Sequence, residues 1–333
     1  MESVSITGRG KAPVFIVGSA RSGITLLYHM LLASGHFAYY RSEPAVFDLF
    51  LPRFGTFRRR RTREKLMRLW QRSSMFRASG LDGDEAAREV IERCSNAGDF
   101  LRVIMNAIAR QQGLDRWAVW GPDNLLYIPE IKKLIPEALI IHMIRDGRDV
   151  AVSMHKEGWI RPFPWDRDKA LLVAALHWQW KVNTGRRSRI CYASDYLELR
   201  FEDLLANPRP VLTRVSDFVG QELDYDFIRQ HPVGTLSRPN STFQDECRNN
   251  QLAPVGRWKH TLSVSEMRSL EAAIGATLVD LGYKNESSER VSTPLRIELI
   301  RRLYPCYFAT KHWLKTRTFL GRFVSGYRLH LSS

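Results

Sequence analysis

The sequence predicts an α/β protein: a parallel sheet flanked by helices, with a helical insertion and a helical C-terminal tail. Three observations carry this reading. Val14 to Val17 is a short apolar, β-branched run that passes through a glycine- and serine-rich turn, Gly18 to Gly23, into a helical pattern from Thr25. A second run, Leu139 to Ile144, is continuously apolar, as expected of a strand buried on both faces of a parallel sheet. Between them, residues 52–115 read as a helical insertion, with helical periodicity from Asp84 to Arg110 carried by Val90, Cys94, Leu101, Ile104 and Ile108.

The first unit also states a chemistry. Leu26, Leu27, Met30 and Leu31 share one helical face, and Gly35 is placed to end the helix. Strand, tight turn and helix form a phosphate cradle, because free backbone N–H groups at the helix N-terminus face the turn. The spacing is close to that of a Walker A loop, so the sheet is P-loop-like: Gly18, Gly23 and Thr25 are in place, but Ile24 stands where the lysine belongs. The cation lies inside the loop, at Arg21.

Glu43 follows this helix in Tyr40-Arg41-Ser42-Glu43-Pro44, an extended segment by virtue of Pro44. A partly desolvated glutamate there suits a general base; an ordinary surface carboxylate is the competing reading, and Asp48 is the substitute candidate. Arg58 to Arg61 open the insertion and read as a solvated face rather than a nucleic-acid site, since no aromatics interleave with them. The insertion is expected to cover the mouth of the site.

Leu139 to Ile144 ends in Arg145-Asp146-Gly147-Arg148-Asp149, followed by a helix containing Ser153. Both polar turns fall at carboxyl ends of parallel strands, the edge where open α/β sheets bind ligands. Arg145 and Ser153 are positioned to hold one phosphate. His142 is expected in the core. Leu197 to Leu205 reads as strand into helix, Val211 to Val219 as an amphipathic helix closed by Gly220, and Ser263 to Leu281 as a further helix after Gly256-Arg257-Trp258-Lys259.

Lysine and arginine total 50 against 35 acids, a formal charge of +15, which favours anionic partners. Cys94, Cys191, Cys247 and Cys306 show no metal-ligand spacing and read as free thiols in a reducing compartment. No stretch has the form of a signal peptide or approaches the ~18 apolar residues of a membrane span. A cytoplasmic location is the expectation, and the sequons at Asn240 and Asn285 then read as chance. Residues 294–333 interleave basic and aromatic side chains, suiting either the inner face of an anionic membrane or packing on the protein's own surface.

Taken in this order, Gly18-Ser19-Ala20-Arg21-Ser22-Gly23-Ile24-Thr25, the Arg145 to Ser153 turn, Arg200 to Leu204 and Gly256 to Lys259 resemble the sulfotransferases, which use 3′-phosphoadenosine 5′-phosphosulfate (PAPS). The resemblance spans about residues 12–285, with 286–333 as a basic, aromatic tail. It is nearest to the bacterial, glycan- and tyrosylprotein-type branches, which carry a glutamate in a Glu-Pro context after the first helix. It implies that Gly18 to Thr25 hold the phosphosulfate, with Arg21 as loop cation. Arg145 and Ser153 would grip the 3′-phosphate, Phe201 would stand near the adenine, and Arg257, Trp258 and Lys259 would form a nucleotide-side loop. Glu43 would be the base and Arg21 its catalytic partner, with no metal required and a glycan, lipid or small-metabolite hydroxyl as acceptor.

Three departures from the family pattern stand out. Ile24 replaces a threonine, and Gly121-Pro122-Asp123-Asn124 lacks the lysine many relatives place there. Gln251-Leu252-Ala253 replaces an Arg-Lys-Gly, with Arg248 as a compensating cation. The alternatives are a P-loop nucleotide kinase, which Ile24 counts against, and a non-catalytic adenosine bisphosphate- or polyanion-binding protein.

Overall fold

A computed structural model describes residues 6–236, 254–286 and 295–323. Asn240, Cys247, Arg248, Gln251 to Ala253 and residues 324–333 therefore lie outside the described residues.

Four parallel strands form one sheet in the order β2-β1-β3-β4: β1 is Val14–Gly18, β2 Ala118–Trp120, β3 Leu139–Ile144 and β4 Tyr196–Arg200. Strand β1 pairs with β2 on one side (Ile16 opposite Trp120) and with β3 on the other (Val17 opposite His142). After β1 the chain leaves to β2 on one flank, and then crosses to β3 on the other. That reversal opens a crevice beyond the carboxyl ends of β1 and β3. All residues of β1 and β3 are buried, as their unbroken apolar runs require. His142 is fully buried and contacts the Tyr196 hydroxyl at 2.7 Å.

Helix α1 (Ile24–Ala33) follows β1, and a short π-helical turn (Val46–Phe50) follows the Glu43 segment. Next come α2 (Arg60–Gln71), α3 (Gly83–Arg93) and α4 (Ala97–Gln111). Their apolar faces (Leu66, Trp70, Val90, Phe100, Met105) enter one core with Phe15 and Val17 on one face of the sheet. The opposite face of the sheet packs Val14, Ile16, Leu31, Leu199 and Val215 together.

Helix α5 (Ile128–Leu134) precedes β3, and α6 (Gly147–Lys156) follows it. The 22-residue α7 (Ala170–Cys191) crosses to β4, after which α8 (Phe201–Ala206) and α9 (Pro208–Val219) complete the layer. Helix α10 (Val264–Asp280) starts with a capping box between Ser263 and Glu266. Helix α11 (Leu295–Arg317) packs Ile300, Tyr304 and Phe308 into the core built by α6, α7 and α10. Among the described residues, no helix is long and apolar enough to cross a membrane.

Candidate functional site

The turn between β1 and α1 is held in an unusual backbone conformation. Arg21 has φ 68° and Gly23 φ 84°. The left-handed region costs an arginine of order 1 kcal/mol, and such strain survives only where its surroundings enforce it. At Gly23 no other residue would fit, because a Cβ there would run into the ring of Phe201. The turn delivers the first N–H groups of α1, which have no intrahelical carbonyl partner, to the sheet edge.

Arg145, at the end of β3, enforces the turn. Its Nη1 donates to the carbonyl of Arg21 at 2.9 Å, and its Nη2 donates to the carbonyl of Pro254. It is 2% exposed, faces the Phe201 ring at 4.8 Å and lies 3.8 Å from the Asp149 carboxylate. Burial pulls its pKa down; the nearby Asp149 and Glu202 charges act the other way, and Arg257 and Arg21 add to the lowering.

Arg21 reaches across to α6, where its Nε donates to Ser153 Oγ at 2.9 Å. Trp159 lies 5.4 Å from the same guanidinium. Burial lowers the Arg21 pKa; Glu157 opposes this and Arg257 reinforces it. Three arginines from distant stretches of sequence thus lie within electrostatic reach, and Arg257 acts on both Arg21 and Arg145.

Asp149 orders the 256–259 loop, accepting from the N–H groups of Gly256 (2.8 Å) and Trp258 (3.1 Å). Trp258 is buried beneath Arg148, whose guanidinium carbon is 3.7 Å from the ring centroid. Lys259 points elsewhere, to Glu286 at 3.2 Å. Of this triplet, Arg257 adds positive charge within electrostatic reach of Arg21 and Arg145, while Trp258 anchors the loop.

A cleft of about 570 Å³ opens here, lined by Ala20, Arg21, Gly23, Ile24, Thr25, Arg145 and Phe201 of the expected residues. No carboxylate is among the described residues lining it. The 52–115 segment contributes no residue to this lining, and its apolar faces enter the core beneath the sheet. Ser153 is not itself among the lining residues; its Oγ accepts from the side chain of Arg21, which is. Ser19 and Ser22 are fully buried, with hydroxyls that have no hydrogen-bond partner among the described residues, and Arg145 Nε is in the same condition.

Glu43 lies on the β2 side. A Cβ built on Gly121 would sit 2.9 Å from Glu43 Oε1 and 2.8 Å from Asn124 Nδ2, so the bare backbone at the end of β2 makes room for both groups. Asp48 is only 2% exposed. The 121–124 turn is instead met by a lysine from another element. Lys181 of α7, 1% exposed, donates to the Pro122 carbonyl and to Asp123 Oδ1, each at 2.7 Å.

Sequence reasoning missed Lys181, Trp159, and the cleft-lining pair of His29 and Thr235, whose Nδ1 and Oγ1 are 2.7 Å apart. Lys181 and Trp159 left faint signals: a lysine inside an otherwise apolar helical stretch, and a tryptophan after Gly158 in a polar loop. The His29–Thr235 pairing spans 206 residues and left none.

Residues 13–225 match the family model described as the sulfotransferase family. Similar curated proteins include Sulfotransferase 1A1 of Rattus norvegicus, 21% identical over 224 residues, covering 58% of this chain and 77% of that protein. Sulfotransferase 1A1 of Canis lupus familiaris is 23% identical over 221 residues, covering 57% and 73%. Among solved structures, the sulfotransferase domain from the curacin biosynthetic pathway superposes with a TM-score of 0.53 at 16% identity, covering 82% of this chain and 98% of that one.

Proposed function

The chain belongs to the sulfotransferase family, and from that premise we propose that it moves a sulfuryl group from PAPS to a hydroxyl acceptor. The observation that carries this reading is the meeting of Arg21 and Arg145 in a cleft at the N-terminus of α1, with Arg257 near enough to act on both and a described lining that holds no acid. The donor set fits a doubly phosphorylated nucleotide. The Nε of Arg145, on the cleft wall, is a hydrogen-bond donor without an acceptor among the described residues, a costly state that an anion's oxygen would relieve.

In this reading Gly18 to Thr25 hold the phosphosulfate, and Arg145 with Ser153 hold the 3′-phosphate. Phe201 flanks the base and Arg257 adds charge on the nucleotide side. Residues 12–285 form the catalytic unit, with 286–333 appended to it. PAPS supplies the activated sulfuryl group. Glu43 takes the proton of the acceptor hydroxyl as its oxygen attacks sulfur, and a carboxylate partly withdrawn from water suits that task. Arg21 and the α1 N–H groups meet the charge that builds on the leaving oxygen, preorganised as the fixed dipoles of such sites must be.

The test is incubation with isotopically labelled PAPS and a panel of glycans, lipids, small alcohols and phenols, read by mass spectrometry. Label should appear on a hydroxyl acceptor, and not when Arg21→Ala replaces the unmutated chain. Tight nucleotide binding with no transfer to any acceptor would instead favour a non-catalytic binding protein.

A further inference from the structure

Helix α11 has two unlike faces. Ile300, Tyr304 and Phe308 are buried against the body of the protein. Leu295, Leu299, Leu303 and Trp313 point away from it, 86%, 55%, 52% and 56% exposed. At 3.6 residues per turn these four fall within an arc of about 80°, with the exposed Cys306 among them. Beyond the helix, Phe319 and Phe323 are exposed as well, 66% and 76%. Single exposed leucines are ordinary; a contiguous apolar row of this length marks a surface that something covers.

The charge around the row says what covers it. Residues 295–323 contain seven bases (Arg296, Arg301, Arg302, Lys311, Lys315, Arg317, Arg322) and a single acid, Glu298. That acid is shared between Arg301 (3.0 Å) and Arg302 (2.8 Å). A second copy of the chain would set two such basic faces against each other. A nucleic acid would pair with the bases but leave the leucine row against phosphates and water. An anionic lipid surface satisfies both, since acyl chains receive the row while long basic side chains reach the headgroups.

We propose that the outer face of α11, continued by Phe319 and Phe323, docks the protein on an anionic bilayer, lying in its interface. The face adjoins the cleft. Arg296 donates to the carbonyl of Trp165 at 3.0 Å, and Trp165, itself 70% exposed, stacks on Phe163. The same segment carries Trp159, which stands over Arg21. Docking here is independent of which group the cleft transfers.

The test is co-sedimentation of the full chain with phosphatidylcholine vesicles, with and without phosphatidylserine, at rising salt. The chain should bind only the anionic vesicles, and salt should release it. A Leu299→Ser, Leu303→Ser, Trp313→Ser variant and a separate Arg302→Glu, Lys311→Glu variant should each lose roughly tenfold or more in partitioning. All of these side chains are solvent-facing, so the melting temperature should hold. Absence of vesicle binding, or binding unchanged in both variants, overturns the proposal. So does a dimer of the unmutated chain that the leucine variant dissociates without any vesicle binding. Preferential binding to DNA, indifferent to the leucine substitutions, overturns it equally.

Discussion

The guanidinium of Arg21 is tied to Ser153, Nε to Oγ at 2.9 Å, across 132 residues of sequence. The loop cation and the serine of α6 are therefore one assembly, and Arg145 locks it by holding the Arg21 carbonyl. Removing any member affects the others. Ser153→Ala deletes one hydroxyl and should leave the fold intact while weakening nucleotide binding by about 1 kcal/mol. Arg145→Ala is harsher. It leaves the Asp149 carboxylate buried without its cation, and should lower unfolding free energy by about 3 kcal/mol in denaturant titration.

Gly121 separates positioning of the proposed base from nucleotide binding. Gly121→Ala places a methyl group where Glu43 Oε1 and Asn124 Nδ2 now crowd. Turnover should fall at least about tenfold, because a misplaced base loses its hydrogen-bond reach. Nucleotide affinity, measured separately by titration, should change little. Glu43→Gln keeps the shape and removes the basicity, and should cost about 10²–10⁴ in turnover. Near-normal turnover in the glutamine variant would assign the proton to another group.

Gly23→Ala attacks the cradle instead. Its positive φ and the ring of Phe201 leave no space for a methyl group, so the turn must rebuild. We expect a stability loss of about 1–3 kcal/mol together with loss of nucleotide binding, read by melting in the presence and absence of nucleotide.

Acid should destabilise the protein well above the carboxylate range. Burial lowers the pKa of His142 and His177 to about 3 and that of His312 to about 4. Unfolded, each returns to about 6.5. Between those values the unfolded chain binds protons the folded chain refuses, so stability is lost as pH falls from about 6.5 toward 4. The slope is at most about 1.4 kcal/mol per pH unit per histidine. Denaturant midpoints across pH 4–7 (roughly the window set by these values) check this; a flat profile would contradict it.

What was legible in the sequence is what local pattern encodes. Val14 to Gly23 shows its strand and turn because burial on both faces demands an unbroken apolar run and the turn demands glycine. The β3 turn with Arg145 shows for the same reason. Strand β2 has three residues, too few for a period, so the approach of Glu43 to Gly121 could be argued only from the direction in which the chain returns. Trp159 reaches the cleft from a loop, and Lys181 reaches the 121–124 turn from helix α7, through contacts that no spacing along the chain records. The insertion was legible as helices, but its placement was not. Amphipathicity says that a face is buried, and does not say against what.

In the proposed function the cleft recognises a nucleotide by a 3′-phosphate held beside Arg21, Arg145 and Ser153. Calorimetric titration with adenosine 3′,5′-bisphosphate and with 5′-AMP tests it most directly. The bisphosphate should bind at least about tenfold tighter, a charge-assisted contact's worth, and Ser153→Ala should narrow that gap. Equal affinity for the two nucleotides in the unmutated protein would contradict the account.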